Sequence, residues 1–331
     1  MNDDPHAPQN PSTMQALRAW FGRAAQVMNG RDLLALTPPG ILGIMLRGAL
    51  DRVTGTPLPP CDDLDAYDPK LVAVFADMAR ALARHYFRLQ LHGVENIPHT
   101  GAALLVGNHN GGALPFDSLF TALAVYDSQG PTRVVHGLAH DALFIDPRIR
   151  GYAQRVGAVR ASPGVAERAL RRDRLLLVYP GSDWDACRPF SQRDRVILHG
   201  RRGFLRLALR LGVPIVPVVS VGTHEQLVIL TRGDTLARVT GMHRLLRTDT
   251  LPISLSVPWG LSLAYLPYVP LPAQTSLSFG APISFSDVRP DRADDEEVLG
   301  RCYRVVESTM QAMLDDLSRD RIPFVGPRKP A

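Results

Sequence analysis

From residue 87 to 221 the chain alternates short, apolar, β-prone runs with longer stretches of helical periodicity, and this alternation constrains the fold more than any other feature. The β-prone runs lie at 87–91, 102–106, 133–136, 175–179 and 215–221. Helical candidates occupy 116–127, 138–155, 163–172 and 202–211. Continuous apolar runs are expected of strands covered on both faces, and parallel neighbours need helical crossovers. The pattern therefore predicts an α/β domain with a largely parallel or mixed sheet flanked by helices. A last helix is expected over 295–318, where Val298, Cys302, Val305, Val306, Met310, Met313 and Leu317 recur every three to four residues.

Ahead of the alternation the chain has a different character. Residues 1–13 are polar and acidic, read as a disordered tail, and carry no basic stretch leading into an apolar one, so no secretory signal is expected. Segments 14–28 and 40–53 intersperse apolar residues with Arg18, Arg23, Arg47 and Arg52, the pattern of amphipathic helices with basic faces. A Pro- and Asp-rich linker follows at 54–68, then a helix at 69–86. The predicted organisation is a tail at 1–13, a helical arm at 14–84 able to associate with membrane, an α/β domain at 85–320 and a tail at 321–331.

Charge and composition narrow the partners. The excess of 37 Lys and Arg over 32 Asp and Glu suits anionic partners, whether phospholipid headgroups, a nucleotide-bearing cofactor or nucleic acid, and does not choose among them. The arginines are dispersed without any recognition-helix, RRM-like or zinc-finger pattern, so nucleic acid is not an expected partner. Cys61, Cys187 and Cys302 form no C-x-x-C pair, which excludes a zinc ribbon or disulfide framework and suits a reducing compartment. The 37 residues from 250 to 286 contain no Asp, Glu, Lys or Arg, yet six prolines interrupt them. A helix spanning lipid would lose backbone hydrogen bonds at each proline. The segment is read as irregular apolar chain that packs on the core or lies in a membrane interface. With the basic arm, it points to a peripheral or monotopic protein on the cytoplasmic side of a membrane.

The chemistry concentrates in residues 104–117, LLVGNHNGGALPFD. A β-run ends there in a polar, glycine-rich turn carrying Asn108, His109, Asn110, Gly111 and Gly112, and Asp117 opens the next helix. Ligands of open α/β sheets bind off the carboxyl ends of strands. A histidine there can take a proton near neutral pH, and a carboxylate can orient it. The plainer reading is a glycine turn with a surface histidine and a helix-capping aspartate. Three further segments sit in comparable places: Gly157 to Ser162 with Arg160, the turn of Tyr179, Pro180, Gly181, Ser182 and Asp183, and the Val-Pro-Ile-Val-Pro-Val run at 213–218.

In order and spacing these four segments resemble the blocks of the glycerolipid acyltransferase superfamily: Asn-His-x4-Asp, a Gly…Arg block, Phe-Pro-Glu-Gly-x-Arg, and a Val-Pro-hydrophobic-Pro strand. The resemblance spans residues 87–285 and is nearest to the bacterial branch described as lysophospholipid-acyltransferase-like. It implies a glycerol-3-phosphate-acyltransferase-like fold and transfer of a fatty acyl group from acyl-CoA or acyl carrier protein, used as co-substrate, to a lipid hydroxyl. His109 would be the general base, Asp117 would orient it, and no other cofactor would be needed. Backbone N–H groups of 110–112 are candidates to hold the oxyanion. No Gly-x-Ser-x-Gly elbow is present.

The chain departs from the family pattern twice. Seven residues rather than four separate His109 from Asp117, which leaves Asp127, Asp141 and Asp146 as alternative partners. The third block lacks the pattern's Glu and Arg, and Asp183 would repel a phosphate. Arg160, Arg188, Arg193 and Arg195 remain candidates for a phosphate clamp, although the departure favours a neutral acceptor such as diacylglycerol or a long-chain alcohol. Hydrolysis by the same His–Asp pair and non-catalytic lipid binding are the alternatives. His136 and His140 have the spacing of two ligands on a helix face but lack a third, so a plain core or surface pair is expected.

Overall fold

The computed structural model describes residues 22–23, 61–109, 114–144, 146–241, 250–264 and 266–328. Residues 22–23 are helical; the remainder of the expected tail 1–13 and of the arm helices 14–28 and 40–53 lies outside the described residues. Helix α1 (Pro69–Ala81) starts where Asp68 accepts hydrogen bonds from the backbone N–H groups of Lys70 (2.9 Å) and Leu71 (3.2 Å), with proline in its first turn. There follow β1 (Gln90–His92), β2 (Ala103–Gly107), α2 (Phe116–Gln129), β3 (Val135–Ala139), α3 (Pro147–Arg155) and β4 (Ala158–Arg160). Next come α4 (Pro163–Leu170), β5 (Leu175–Val178), the single turn α5 (Asp183–Ala186), α6 (Gly203–Leu211), β6 (Ile215–Val221), β7 (Val228–Thr231) and α7 (Asp234–Val239). The chain closes with β8 (Ile253–Ser256), β9 (Gly260–Leu263), β10 (Ser276–Phe279), α8 (Glu296–Ser318), β11 (Arg321–Ile322) and β12 (Gly326–Pro327).

Seven strands form one mixed sheet in the order β1-β10-β6-β2-β5-β3-β4. The five from β6 to β4 run parallel, whereas β10 is antiparallel to β6 and carries β1 alongside it. Alternation along β2 shows why its run is uninterrupted. Leu104 and Val106 pack with residues of α4, α6 and α8 on one face, while Ala103 and Leu105 pack with α1 and α2 on the other. This is the α/β architecture that the sequence predicts, and α8 begins one residue after its cap, Asp295.

Several local expectations change in three dimensions. The start of the helix expected over 138–155 is instead the end of β3, because Gly137, Leu138 and Ala139 pair with β4. Ala76 and Ala79 of α1, assigned from the sequence to the arm, are buried in the same cluster as Phe87, Leu105 and Phe120. The segment 250–286, expected to be irregular, contains β8, β9 and β10, and β7-β8-β9 make a separate three-stranded sheet. Residues 321–328, expected to be a tail, fold back as a hairpin. Arg321 is buried there against the Glu225 carboxylate and the Gln274 carbonyl, and Phe324 donates its N–H to Glu225.

Candidate active site

β2 delivers the first site residues at its carboxyl end. The amide of Asn108 prolongs the ladder toward β6: its Nδ2 donates to the Ser220 carbonyl (3.1 Å) and its Oδ1 accepts from the Ser220 N–H (2.8 Å). Asn108 is 1% exposed, and these bonds make it a brace of the strand end. The next residue, His109, projects from this braced end.

His109 Nδ1 lies 2.8 Å from Asp117 Oδ2 across seven intervening residues, of which Asn110, Gly111, Gly112 and Ala113 lie outside the described residues. Asp117 sits in the first turn of α2, 1% exposed, and its other oxygen accepts the Ser118 N–H at 2.6 Å. The alternative partners are occupied elsewhere: Asp127 pairs with Arg80, Asp141 with Arg160, and Asp146 accepts the Ile149 N–H.

The side chain of His109 retains 21% exposure. Burial alone would depress its pKa, but the charge and hydrogen bond of Asp117, helped by Asp185, carry it above the ordinary histidine value. With Nδ1–H directed at the carboxylate, Nε2 is the basic nitrogen. The Tyr179 ring stacks on the imidazole, centroids 4.4 Å apart and planes 20° from parallel. Gly107 makes room for that ring, since a Cβ there would stand 2.4 Å from Tyr179 Cε1. Burial pushes the tyrosine hydroxyl well above its ordinary pKa, so it remains protonated.

Residues just past the third block hold the backbone of His109. Asp185 Oδ2 accepts the His109 backbone N–H at 2.5 Å, and Arg188 Nη1 donates to the His109 carbonyl at 2.9 Å. These two residues also form a fully buried ion pair, Nη1 to Oδ1 2.7 Å. Burial pushes Asp185 up to about 6 despite the opposing Arg188 charge. Arg188 further donates to the carbonyls of Asp185, Gln192 and Arg193. The sequence reading offered Arg188 to a substrate; its burial and five protein acceptors make it a strut of the site. Gly181 is required by close approach, because a Cβ would come 2.0 Å from the Ile197 carbonyl oxygen.

The other candidates are placed less centrally. Arg160, three strands from β2 on the same sheet edge, is held by both oxygens of Asp141 at 2.8 and 3.0 Å. Asp183 faces Arg201 at 3.6 Å, Ser182 adopts a positive φ of 51°, and Pro180 is buried. Arg193 lies over the Phe190 ring, whereas Arg195 lines an exposed groove beside α8. His136 is on β3 rather than on a helix, so His140 lies about 13 Å along extended chain and the pair cannot chelate. Among the described residues there is no cluster of three or more His, Cys, Asp or Glu able to hold a metal ion. Gly107, Ser118, Asp185 and Ser220 escaped the sequence reading. Only the Asp185–Arg188 spacing gave a local signal, that of two residues one helical turn apart.

The chain thus sets a His–Asp pair off the carboxyl end of a central parallel strand in a mixed sheet covered on both faces. An acyltransferase family model matches residues 88–221. An uncharacterized protein of Mycobacterium tuberculosis is 36% identical over 249 residues, covering 75% of this chain and 67% of its own length. The chain belongs to the acyltransferase family. The human protein named "DGAT1/2-independent enzyme synthesizing storage lipids" is 32% identical over 161 residues, 47% of this chain and 46% of that protein. The chain thus spans less than half the length of that relative. The crystal structure of a 1-acyl-sn-glycerophosphate acyltransferase from Thermotoga maritima aligns with a TM-score of 0.49 and 18% identity, covering 91% of this chain and 94% of that one.

Proposed function

We propose that the protein moves a fatty acyl group from a thioester, acyl-CoA or acyl carrier protein, to the hydroxyl of a lipid acceptor. The observation carrying this reading is the 2.8 Å approach of His109 Nδ1 to Asp117 Oδ2 at the carboxyl end of β2. Nε2 takes the acceptor's proton while the hydroxyl oxygen attacks the thioester carbonyl. The resulting tetrahedral adduct collapses, the C–S bond breaks, and the proton passes from the imidazolium to the departing thiolate. Asp117 holds the tautomer and stabilises the transient imidazolium, and a base so placed contributes about 10²–10⁴-fold. Holding the two substrates together supplies much of the remainder. No metal or other cofactor takes part.

A neutral acceptor such as diacylglycerol or a long-chain alcohol fits the site better than a phosphorylated one. Arg160 is engaged by Asp141, Arg188 is buried, and Asp183 places a carboxylate in the third block. The human relative's name, an enzyme synthesizing storage lipids, points the same way. Work on such acceptors requires access to a bilayer, so the protein acts as a peripheral or monotopic protein on the cytoplasmic side.

The test offers palmitoyl-CoA to purified protein in vesicles containing lysophosphatidate, other lysophospholipids, diacylglycerol and a long-chain alcohol. Products are followed by mass spectrometry, with His109→Ala in parallel. A new ester formed by the unaltered protein alone is the expected result and names the acceptor. Free fatty acid without ester would indicate hydrolysis. Equal inactivity of both proteins, with acyl carrier protein donors as well, would refute catalysis.

A further inference from the structure

In the small sheet β7-β8-β9, β8 and β9 turn leucines outward and serines inward. Ile229 and Ser254 are fully buried and Ser256 is nearly so, whereas Leu255 (46% exposed), Leu261 (67%) and Leu263 (37%) face outward. Register places Leu255 opposite both Leu261 and Val228, and Ile253 opposite Leu263, so apolar side chains abut across all three strands on the outer face. The inner serines are satisfied within the protein: Ser256 Oγ lies 2.7 Å from Ser262 Oγ, and Ser254 Oγ bonds the Ser262 carbonyl. An antiparallel sheet with one wet face ordinarily turns its polar side chains outward. A continuous apolar patch on that face marks a surface made for a non-aqueous neighbour.

Three observations identify that neighbour as lipid. Trp259 is 51% exposed while its indole N–H already donates to the Pro267 carbonyl at 2.5 Å, so its ring can enter an apolar phase without losing a hydrogen bond. The whole run from 250 to 286 contains no Asp, Glu, Lys or Arg that would have to be desolvated. The patch also adjoins the site. On the sheet's inner side Leu227, Ile229, Ala264 and Tyr268 pack with Leu114, five residues beyond His109. Arg232, which follows β7, lies 3.4 Å over the ring of Trp184, the residue after the third block. Among the described residues no helix is long and apolar enough to cross a membrane.

We propose that the outer face of β7-β8-β9 is the surface that docks on a lipid bilayer, with Leu255, Trp259 and Leu261 entering the interface beside the mouth of the site. The docking deepens the proposed function, and its consequence for substrate access rests on that reading: a lipid acceptor reaches His109 laterally without crossing water. Attachment is driven by apolar burial, so it outlasts the screening of surface charge.

The test is flotation of the full chain with phosphatidylcholine vesicles containing a minority of phosphatidylglycerol, at low salt and in about 1 M NaCl. The unaltered protein floats under both conditions. The Leu255→Ser/Leu261→Ser double variant, altered only at exposed positions, keeps its thermal transition and partitions about 100-fold more weakly. In a Trp20→Phe background, Trp259→Phe removes the quenching of tryptophan fluorescence by brominated lipid, and unchanged quenching would overturn the proposal. Undiminished flotation of the double variant would overturn the proposal, as would release of the unaltered protein by salt. A dimer in sedimentation that the double variant dissolves without change in flotation would make the face an interface between copies. Acylation of a water-soluble short-chain alcohol separates the two readings. Docking stands alone if the protein floats yet esterifies nothing, and both stand if the double variant loses activity only on vesicles.

Discussion

Asp117→Asn preserves the volume of a side chain that is 1% exposed and can keep its bond to the Ser118 N–H, so it removes the charge facing His109 and little else. In the unaltered protein burial depresses the histidine, and the charge and hydrogen bond of Asp117 more than offset that. In the variant burial is opposed from that side no longer, and the pKa falls. The reacting form is neutral imidazole, so the acidic limb of kcat/KM against pH moves to lower pH. The plateau falls as well, because an amide neither enforces the Nδ1–H tautomer nor stabilises the imidazolium. The expected loss is about 10²–10⁴-fold, or about 3–5 kcal/mol in the barrier. Initial rates on the accepted lipid between pH 5 and 9 measure both effects. Stability carries the same sign. A raised histidine pKa stabilises the folded state fully below the unfolded value near 6.5 and ceases to do so as pH rises through the folded value. The melting difference between the unaltered protein and Asp117→Asn therefore widens as pH falls from 8 to 6. A plateau within about threefold of the unaltered enzyme, with an unmoved acidic limb, would refute His109 as an Asp117-oriented base.

Gly107→Ala drives a Cβ into the Tyr179 ring at 2.4 Å, and overpacking of this kind costs about 1–3 kcal/mol; thermal melts and kcat should fall together. Arg160→Ala, which releases an arginine already held by Asp141, should change KM for a neutral acceptor by less than about threefold. A tenfold rise would indicate a phosphate clamp. Arg321→Ala leaves the Glu225 charge buried without its counter-charge, a loss of about 3–5 kcal/mol. In a chain of this size that lowers the melting temperature by about 4–7 °C, read by calorimetry, and exposes the C-terminal hairpin to limited proteolysis.

The α/β class, the strand runs through 215–221 and the last helix were legible because each depends on a local period. The placement of His109, Asp117 and the Tyr179 turn near the ends of strands was legible too. Their meeting was not, since the approach of His109 to Asp117 depends on where β2 ends and α2 begins in space. Arg188 illustrates the opposite error. An arginine after a motif suggests a substrate clamp, and only its buried surroundings reveal a strut. Strands β8 and β9 escaped because their leucines face outward and their serines inward, a pattern that no expectation of an apolar interior selects.

What the sequence determined by itself was the alternation that builds a covered sheet and the residue types available at its carboxyl edge. Tertiary structure decided which of these residues meet, which are consumed as braces, and which apolar face remains open. Periodicity is a property of neighbours along the chain, whereas a hydrogen bond between residues 109 and 185 depends on two strands arriving side by side.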